Sequence, residues 1–418
     1  MHPRPEVRRR VAVTGVGAYC SLGRNAGELL EAVRQGRSGA RPMTWPGVDW
    51  GVGVACTLPG EGLAPRPKSA RALRAGGAVV TALARAAVSE ALRDAGLEGP
   101  AAAARPGAAG GVGLILGTSQ GRTHVIADML AAAGGAPGGL DSVPQAAICR
   151  DLAAAVPVFS WGFTVATACA AGSDAIGLGA HRVRSGAAEC VVCGGVDVIT
   201  PLLFTGFAAL RAMSATACRP FSRDRDGIVI GEGAAFVVLE PLAAARRRGA
   251  RVHAEIIGYG SSNDGYHITY PDPSGRAAER AVRECLADAG LLAGTVDYVN
   301  AHGTGTRAND EIEIQVLRRV FGRRLRAVPI SSSKSMAGHA MGAAGAIEAV
   351  ITVLALEHRF FPPTINFSAP MAGGEDLDYV PNQGRPGAPR VALSTSFGFG
   401  GVNACLAVGR TGEEGGAA

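Results

Sequence analysis

Short apolar runs that end in glycine alternate along the chain with Ala-rich stretches whose apolar residues recur every three or four positions. A short apolar run bounded by turn formers reads as a buried strand, and a longer periodic stretch reads as a helix. The pattern predicts a strand at Val11–Gly15, helices at Ala26–Gln35 and Ala78–Ala95, and a strand at Val112–Leu116. A helix at Cys169–Ser185, a strand at Cys190–Val198, a hairpin-like strand at Ala234–Glu240 and a helix at Pro241–Gly249 follow. Strands alternating with helices predict an α/β protein with largely parallel sheets.

The same order then starts again. "VHAEIIGYGSS" resembles "RVAVTGVGAYCS", "VDYVNAHGTGT" resembles "GVGLILGTSQG", and "MAGHAMGAAGAIEAVITVLAL" opens a helix in glycines as "TACAAGSDAIGLGAHRV" does. "VALSTSFGFGGVNACLAV" supplies two last strands. The repetition lies in pattern more than identity and divides the chain into residues 1–250 and 251–418. Two such halves packed face to face would join the loops at their strands' carboxyl ends into one cleft.

Composition narrows the class. Of 418 residues, 47% are hydrophobic and only 5% aromatic, so the core is built from Ala, Val, Leu and Ile. The net charge of +6 comes from scattered arginines, and clusters such as Arg8-Arg9-Arg10 are too short for a nucleic-acid stripe. Nine cysteines at irregular spacing make a poor disulfide framework. Cys190 and Cys193 have a CxxC spacing but sit in a strand, where positions three apart face opposite sides, so they read as core. The N-terminus passes from basic residues into a strand with no apolar segment ending at a cleavage site. No run reaches the ~18 apolar residues of a membrane span. A cytoplasmic protein without membrane or nucleic-acid partners is expected.

Four segments carry reactive groups. In "VATACAAGSDAIG", Cys169 stands where a strand passes into a helix, so the helix dipole would lower its pKa and favour the thiolate. A small buried core residue is the equally good plain reading. "NAHGTGTRAND" places His302 at a strand end, "SSSKSMAGHAMGAAG" places Lys334 and His339 around a turn, and "STSFGFGGVN" alternates phenylalanine with glycine. Alone, His302 is more often a structural histidine, and Lys334 a solvated one. No GxSxG elbow supports a serine hydrolase. The histidines lack carboxylate or thiolate neighbours at zinc-ligand spacing.

Together, "TACAAG", "RPFSRDRDGIVIGEGAA", "NAHGTGT", "KSMAGHAMGAAGAIE" and "SFGFGGVN" resemble the elongating, decarboxylating β-ketoacyl-acyl-carrier-protein synthases of the thiolase-fold superfamily. The resemblance runs from Val11 to Leu406. It implies an α/β thiolase-like fold of two duplicated halves in an α-β-α-β-α sandwich, with no cofactor and no metal. It implies that Cys169 accepts an acyl group, and that His302 and His339 promote malonyl decarboxylation and stabilise the enolate. Lys334 would support the second histidine, with Glu348 as its carboxylate partner. Cys169 and Phe399 would supply the oxyanion N–H groups, and Phe399 would also gate the site. Phe397 would flank the site, and Asp310 would be structural support.

The two-histidine pattern excludes chain-initiating ketosynthases (Cys, His, Asn) and thiolases with a second cysteine. Two features depart from the fatty-acid pattern. The loop Leu210–Phe221 is short, and Gln120 stands where an apolar residue would face the acyl chain. Both lean towards a polyketide or polyene pathway over primary fatty-acid synthesis. Acyl and malonyl groups would arrive on a separate acidic acyl carrier protein, for which Arg66, Lys68, Arg71 and Arg74 form the best landing patch. A homodimer, or a heterodimer with a chain-length-factor-like subunit, would follow. The alternatives are a malonyl decarboxylase that does not condense, and a catalytically silent partner subunit.

Overall fold

The computed structural model describes residues 8–43, 53–59, 76–98, 111–123 and 145–411. In the first half, the strands are β1 (Val11–Cys20), β2 (Val112–Gly117), β3 (Phe159–Val165), β4 (Val191–Asp197) and β5 (Gly233–Pro241). Its principal helices are α1 (Gly76–Asp94) and α2 (Ala171–Arg184). The second half has strands β6 (Ala254–Asn263), β7 (Tyr298–Asn300), β8 (Ile330–Ser331), β9 (Val391–Gly398) and β10 (Val402–Gly409). Its principal helices are α3 (Arg276–Ala289), α4 (Arg307–Phe321) and α5 (Ala344–Glu357).

The strands are hydrogen-bonded in the order β8-β7-β9-β10-β6-β1-β5-β4-β2-β3. Counted from its outer edge, each half uses its own strands in the same order: third, second, fourth, fifth, first. In each half the outer two pairings are parallel and the inner two antiparallel. The halves meet where β1 pairs with β6 through Ala12–Glu255 and Val13–Ala254. The sheets are therefore less parallel than the alternation predicts. The reason is local: β9 and β10 are joined only by Phe399–Gly401, which returns the chain as a hairpin.

Helices α2 and α5 lie between the two sets of strands and pack on each other, with α1 outside β1 and β5 and α3 outside β6 and β10. This makes the α-β-α-β-α layering. α5 is buried from Ala344 to Leu356, as befits a helix apolar on every side. The two central helices approach very closely at their N-terminal ends. A Cβ on Gly172 would lie 2.7 Å from the Ala346 nitrogen, and one on Gly345 would lie 2.2 Å from Ser173 Oγ. Only glycine fits at either place.

Several elements differ from the pattern. β1 runs on past Gly15 to Cys20, because a Cβ there would meet the Ala91 carbonyl oxygen of α1 at 2.1 Å, so this glycine admits a helix rather than ending a strand. β3 and the helices Ala146–Ala155 and Pro201–Ala209 are additional. Cys190 and Cys193 are buried in separate clusters on opposite sheet faces. None of the described helices is long and apolar enough to cross a membrane.

One buried charge ties the layers together. His253, at the start of β6, places Nδ1 2.9 Å from Glu357 Oε2 at the end of α5. Its Nε2 lies 2.8 Å from Asp94 Oδ2 at the end of α1, in a bent ion-pair contact. Burial opposes the charged form, but the two carboxylates outweigh it and raise His253 to about 9. A group raised on folding stabilises fully below its unfolded pKa and loses that contribution as pH climbs through the folded one. We expect wild type to exceed His253→Gln in unfolding free energy by up to about 3 kcal/mol below pH ~6.5. In denaturant titrations the gap should close through pH 9, and a gap independent of pH would refute the charged histidine.

Candidate active site

Cys169 sits in a single 3-10 turn, Ala168–Ala170, between β3 and α2. Ala168 has φ 48°, a left-handed conformation that alanine takes only at a penalty. The surroundings hold it there: Asp174 on α2 accepts from Thr167 Oγ1 at 2.5 Å and from the Tyr259 hydroxyl of β6 at 2.8 Å. The thiol is 6% exposed. Burial pushes its pKa up to about 11, against the opposing pull of the Phe399 N–H and the Lys334 charge. The expectation of a lowered pKa therefore fails, because removing the thiolate from water outweighs the dipole of the helix.

The second half repeats the device. β8 leads through a short helix, Lys334–Ala337, to His339 and then through the 3-10 turn Met341–Ala343 into α5. Met341 is also left-handed, at φ 51°. The His339 backbone is clamped, its N–H donating to the Val229 carbonyl at 2.7 Å and its carbonyl accepting from the Gly231 N–H at 2.8 Å. The Met341 N–H donates to His339 Nδ1 at 3.2 Å.

His302 follows β7. Its N–H is shared between Glu313 Oε1 at 2.8 Å and Thr395 Oγ1 at 3.0 Å. Lys334, itself 1% exposed, donates from Nζ to His302 Nδ1 at 3.1 Å, to the His302 carbonyl at 2.7 Å, and to Glu348 Oε1. An ammonium can only donate, so His302 Nδ1 must accept. A backbone N–H likewise makes His339 Nδ1 an acceptor. Each neutral ring must then carry its proton on Nε2. Burial first, and then the Lys334 charge, hold both histidines well below the ordinary imidazole pKa. The rings stand edge to face with centroids 5.4 Å apart. Two neutral N–H donors therefore share one apolar chamber with a thiol.

A cavity of about 510 Å³ connects these groups, with Cys169, His302, His339, Phe397, Phe399 and Thr304 among its walls. The Phe399 backbone N–H bonds the thiol, and the Phe399 ring stacks on Phe207 at 5.3 Å. Phe397 lies 6.0 Å from the His302 ring.

This constellation has counterparts in known proteins. The description "Beta-ketoacyl synthase, N-terminal domain" matches residues 8–245, and "Beta-ketoacyl synthase, C-terminal domain" matches residues 253–368. The chain belongs to the beta-ketoacyl synthase family. It is similar to the "3-oxoacyl-[acyl-carrier-protein] synthase 2" of Synechocystis sp., 38% identical over 423 residues, covering 96% of this chain and 98% of that one. Among solved structures, "The ishigamide ketosynthase/chain length factor" superposes with a TM-score of 0.87 at 36% identity, covering 97% of this chain and 100% of that one. Another, described as "type II PKS acyl-carrier protein in complex with its ketosynthase bound to the hexaketide", does so at 0.85 and 30% identity, with the same coverage.

Within this beta-ketoacyl synthase fold, Cys169, His302, His339, Lys334, Phe397 and Phe399 come together. Lys334 acts on His339 through its field, and its hydrogen bonds go to His302. Glu348 is its partner, with burial raising that carboxyl to about 7 against the lysine's pull. Asp310 accepts from the Phe221, Thr304 and Gly305 N–H groups and so holds the "GTGT" loop. Gln120 does not line this cavity. Its Oε1 accepts from Thr200 Oγ1 at 3.1 Å, and its buried Nε2 has no partner among the described residues. Arg66, Lys68, Arg71 and Arg74 lie outside the described residues.

Two functional residues escaped the sequence reading. Glu313 anchors His302, Gly303 and Thr395 from beneath, and its signal was an acid at i+3 from Asp310 on one face of α4. Asp197 ties Thr118 and Ser119 of the first half to the Gly342 N–H of the second, and gave no local signal.

Two measurements check this electrostatic picture. Alkylation of Cys169 by iodoacetamide, followed by peptide mass spectrometry, should accelerate about tenfold per pH unit from 7 to 10. A plateau near neutrality would mean that a thiolate is already formed. Lys334→Met should lower the unfolding free energy by about 3 kcal/mol or more, since it strands a buried carboxylate. Lys334→Met/Glu348→Gln should recover part of that loss, and equal losses would show that the pair does not govern stability.

Proposed function

We propose that this chain is an acyltransferase that condenses an acyl group held on Cys169 with malonyl-acyl-carrier protein, giving a 3-oxoacyl-carrier product. The observation that carries this reading is the pair of neutral Nε2–H donors on His302 and His339, held next to a buried thiol. In the first stage Cys169 attacks the carrier thioester, and the carrier leaves as its thiol with the proton that Cys169 loses. One thioester replaces another, so no cofactor is needed. The Phe399 and Cys169 N–H groups would receive the tetrahedral oxyanion, a reading supported by the Phe399 N–H bond to the thiol.

In the second stage malonyl-carrier enters and loses carbon dioxide. The electron pair left behind spreads to the thioester oxygen, where the two Nε2–H groups donate to it. Histidines that were already charged would hold the malonyl carboxylate as an ion pair and oppose its loss. Neutral ones strengthen their hold only as the enolate forms, which is the condition for catalysis rather than mere binding. The enolate carbon attacks the Cys169 thioester, Cys169 leaves as thiolate and regains a proton from water, and the chain is two carbons longer.

The relatives named above support a carrier protein as partner, and a chain-length-factor-like subunit or a second copy as the neighbour. The residue ranges 1–250 and 251–418 are proposed as the two functional halves, in a cytoplasmic setting. Among acyl groups, the short loop over residues 210–221 favours a chain bearing polar groups or double bonds, as in a polyketide or polyene pathway.

The test begins with intact mass after incubation with short saturated, long saturated and unsaturated acyl-carrier thioesters. A thioester adduct should form on wild type and be absent from Cys169→Ala. Adding malonyl-carrier should then release carbon dioxide and the 3-oxoacyl product. His302→Ala and His339→Ala should each still acylate but lose decarboxylation by about 100-fold or more. Carbon dioxide released while Cys169 stays unacylated would identify a decarboxylase instead, and neither event would identify a silent partner subunit.

A further inference from the structure

The first turn of α2 buries two polar side chains, Ser173 and Asp174, that take no part in the chemistry proposed above. A buried hydroxyl or carboxylate is costly unless it is matched, so its partners show what it holds. Asp174 reaches back along its own segment and across to the other half of the chain. Its Oδ2 accepts from Thr167 Oγ1, two residues before Cys169, and its Oδ1 from the Tyr259 hydroxyl of β6. Ser261 of the same strand bonds this pair as well. The Tyr259 ring lies against α2 at Gly177, where a Cβ would come within 2.2 Å of it. The Tyr259 N–H donates to Asp288 Oδ2 at 3.1 Å, and the same oxygen accepts from Arg184 Nη1 at 2.5 Å. β6 is thus fastened to both ends of α2.

Ser173 reaches a different strand. Its Oγ shares a hydrogen bond of 2.9 Å with Ser396 Oγ on β9, three residues before Phe399. The hairpin that follows passes over the nucleophile, since a Cβ on Gly398 would lie 3.1 Å from the Cys169 nitrogen. Neighbouring residues of one helical turn therefore hold the approach to Cys169 on one side and the approach to Phe399 on the other.

We propose, on the condensing reading above, that Asp174 and Ser173 are positioning residues that align the Cys169 and Phe399 N–H groups on one oxyanion. Each acts on the reacting atoms only through the peptide it holds. The need for such a pin is geometric. Two N–H groups stabilise an oxyanion together only when both lie about 3 Å from the same point. Here they come from opposite halves of the chain, and one follows Ala168, whose left-handed backbone would relax without a restraint. Acyl transfer to Cys169 and the later carbon–carbon bond both pass through an oxyanion at this place. Loss of carbon dioxide places its charge at His302 and His339 instead. Loosening the pin should therefore slow both acyl-transfer steps and spare decarboxylation. An enolate left unused takes a proton from water and leaves as acetyl-carrier protein.

The experiment compares wild type with Tyr259→Phe, Ser173→Ala, Asp174→Ala and Asp174→Asn. Rapid-quench intact mass follows acylation by an acyl-carrier protein. Malonyl-carrier protein is added once Cys169 is fully acylated, and carbon dioxide, 3-oxoacyl product and acetyl product are counted. Tyr259→Phe and Ser173→Ala each remove a single oxygen and should slow acylation at saturating donor about tenfold, with half-saturation unchanged. Asp174→Ala should cost about 100-fold. Asp174→Asn, which can still accept from one hydroxyl, should fall between. In every variant carbon dioxide release should stay near the wild-type rate while acetyl-carrier replaces 3-oxoacyl product. The infrared carbonyl band of an isotope-labelled acyl group on Cys169 should move to higher frequency as its donors withdraw. Wild-type rates and product ratios in Tyr259→Phe and Ser173→Ala would overturn the pin, even where Asp174→Ala does not fold. Carbon dioxide falling in step with product would show a merely structural role and overturn it too, as would a change confined to half-saturation. A wild type that takes no acyl group from any carrier would instead overturn the condensing reading itself.

Discussion

A lysine ammonium buried where three elements meet sets the chemistry of this molecule. Lys334 is withdrawn from water, so each of its protons must find an acceptor within the protein. The acceptors it finds are Glu348, the His302 carbonyl and His302 Nδ1. The last of these has the largest consequence, because it fixes where the His302 proton resides. The same positive charge, acting without direct contact, disfavours protonation of His339. Added to burial, this one charge disfavours protonation of both imidazoles and gives one of them its tautomer. Glu348 accepts a hydrogen bond from the lysine, and Glu313 beneath holds His302 where the lysine can reach it. The interaction is stabilising only as a set, since any member left alone would be a buried uncompensated group.

The duplicated topology explains how three segments far apart in sequence reach one chamber. Cys169 and His339 follow the third strand of their respective halves, and each stands at the head of a central helix. Each sits beside a 3-10 turn with a left-handed residue, Ala168 in one case and Met341 in the other. Because Gly172 and Gly345 let α2 and α5 touch near their N-terminal ends, the two turns are brought together. His302 comes from the end of the second strand of the second half, and Phe399 from the hairpin after the fourth. The corresponding places in the first half hold Thr118 and Asp197, whose hydrogen bonds bind that half to the turn before α5. At these two places the second half's strand ends hold His302 and Phe399, and the first half's hold the brace.

The sequence disclosed more of the site than of its electrostatics. Cys169, His302, Lys334 and His339 each lie at a strand end or helix start within four residues of a glycine, which marks them even before any family is considered. What stayed hidden were the interactions set by burial and by contacts across the chain. The helix-dipole argument for Cys169 was sound locally and lost to desolvation, which depends on the whole fold. Lys334 and His302 are 32 residues apart, and nothing in either segment announces the bond between them. Glu313, in "RANDEIEI", reads as a solvated helix face until the fold lays His302 over it. β3 was missed because it is an edge strand with a mixed exposure pattern, which gives neither a clean alternation nor a continuous apolar run.

These layers divide the work of the site in depth. In the proposed reaction the floor of the cavity meets charge that exists only during turnover: the oxyanion at Cys169 and the enolate at His302 and His339. Those interactions act on kcat, and the buried clamps of Lys334, Asp174, Glu313 and Asp197 hold them in place before substrate arrives. The lip can only meet groups that are the same before and after reaction, so whatever it binds is bound equally in ground and transition states. Such uniform binding changes KM and the choice of donor, and leaves the bond-making step alone. The floor is built of residues whose polar atoms are nearly all committed, while the side chains of Arg211 and Arg307 at the rim have no partner among the described residues. A rigid floor lowers the barrier, whereas a solvated rim can take up a substrate and then let it go.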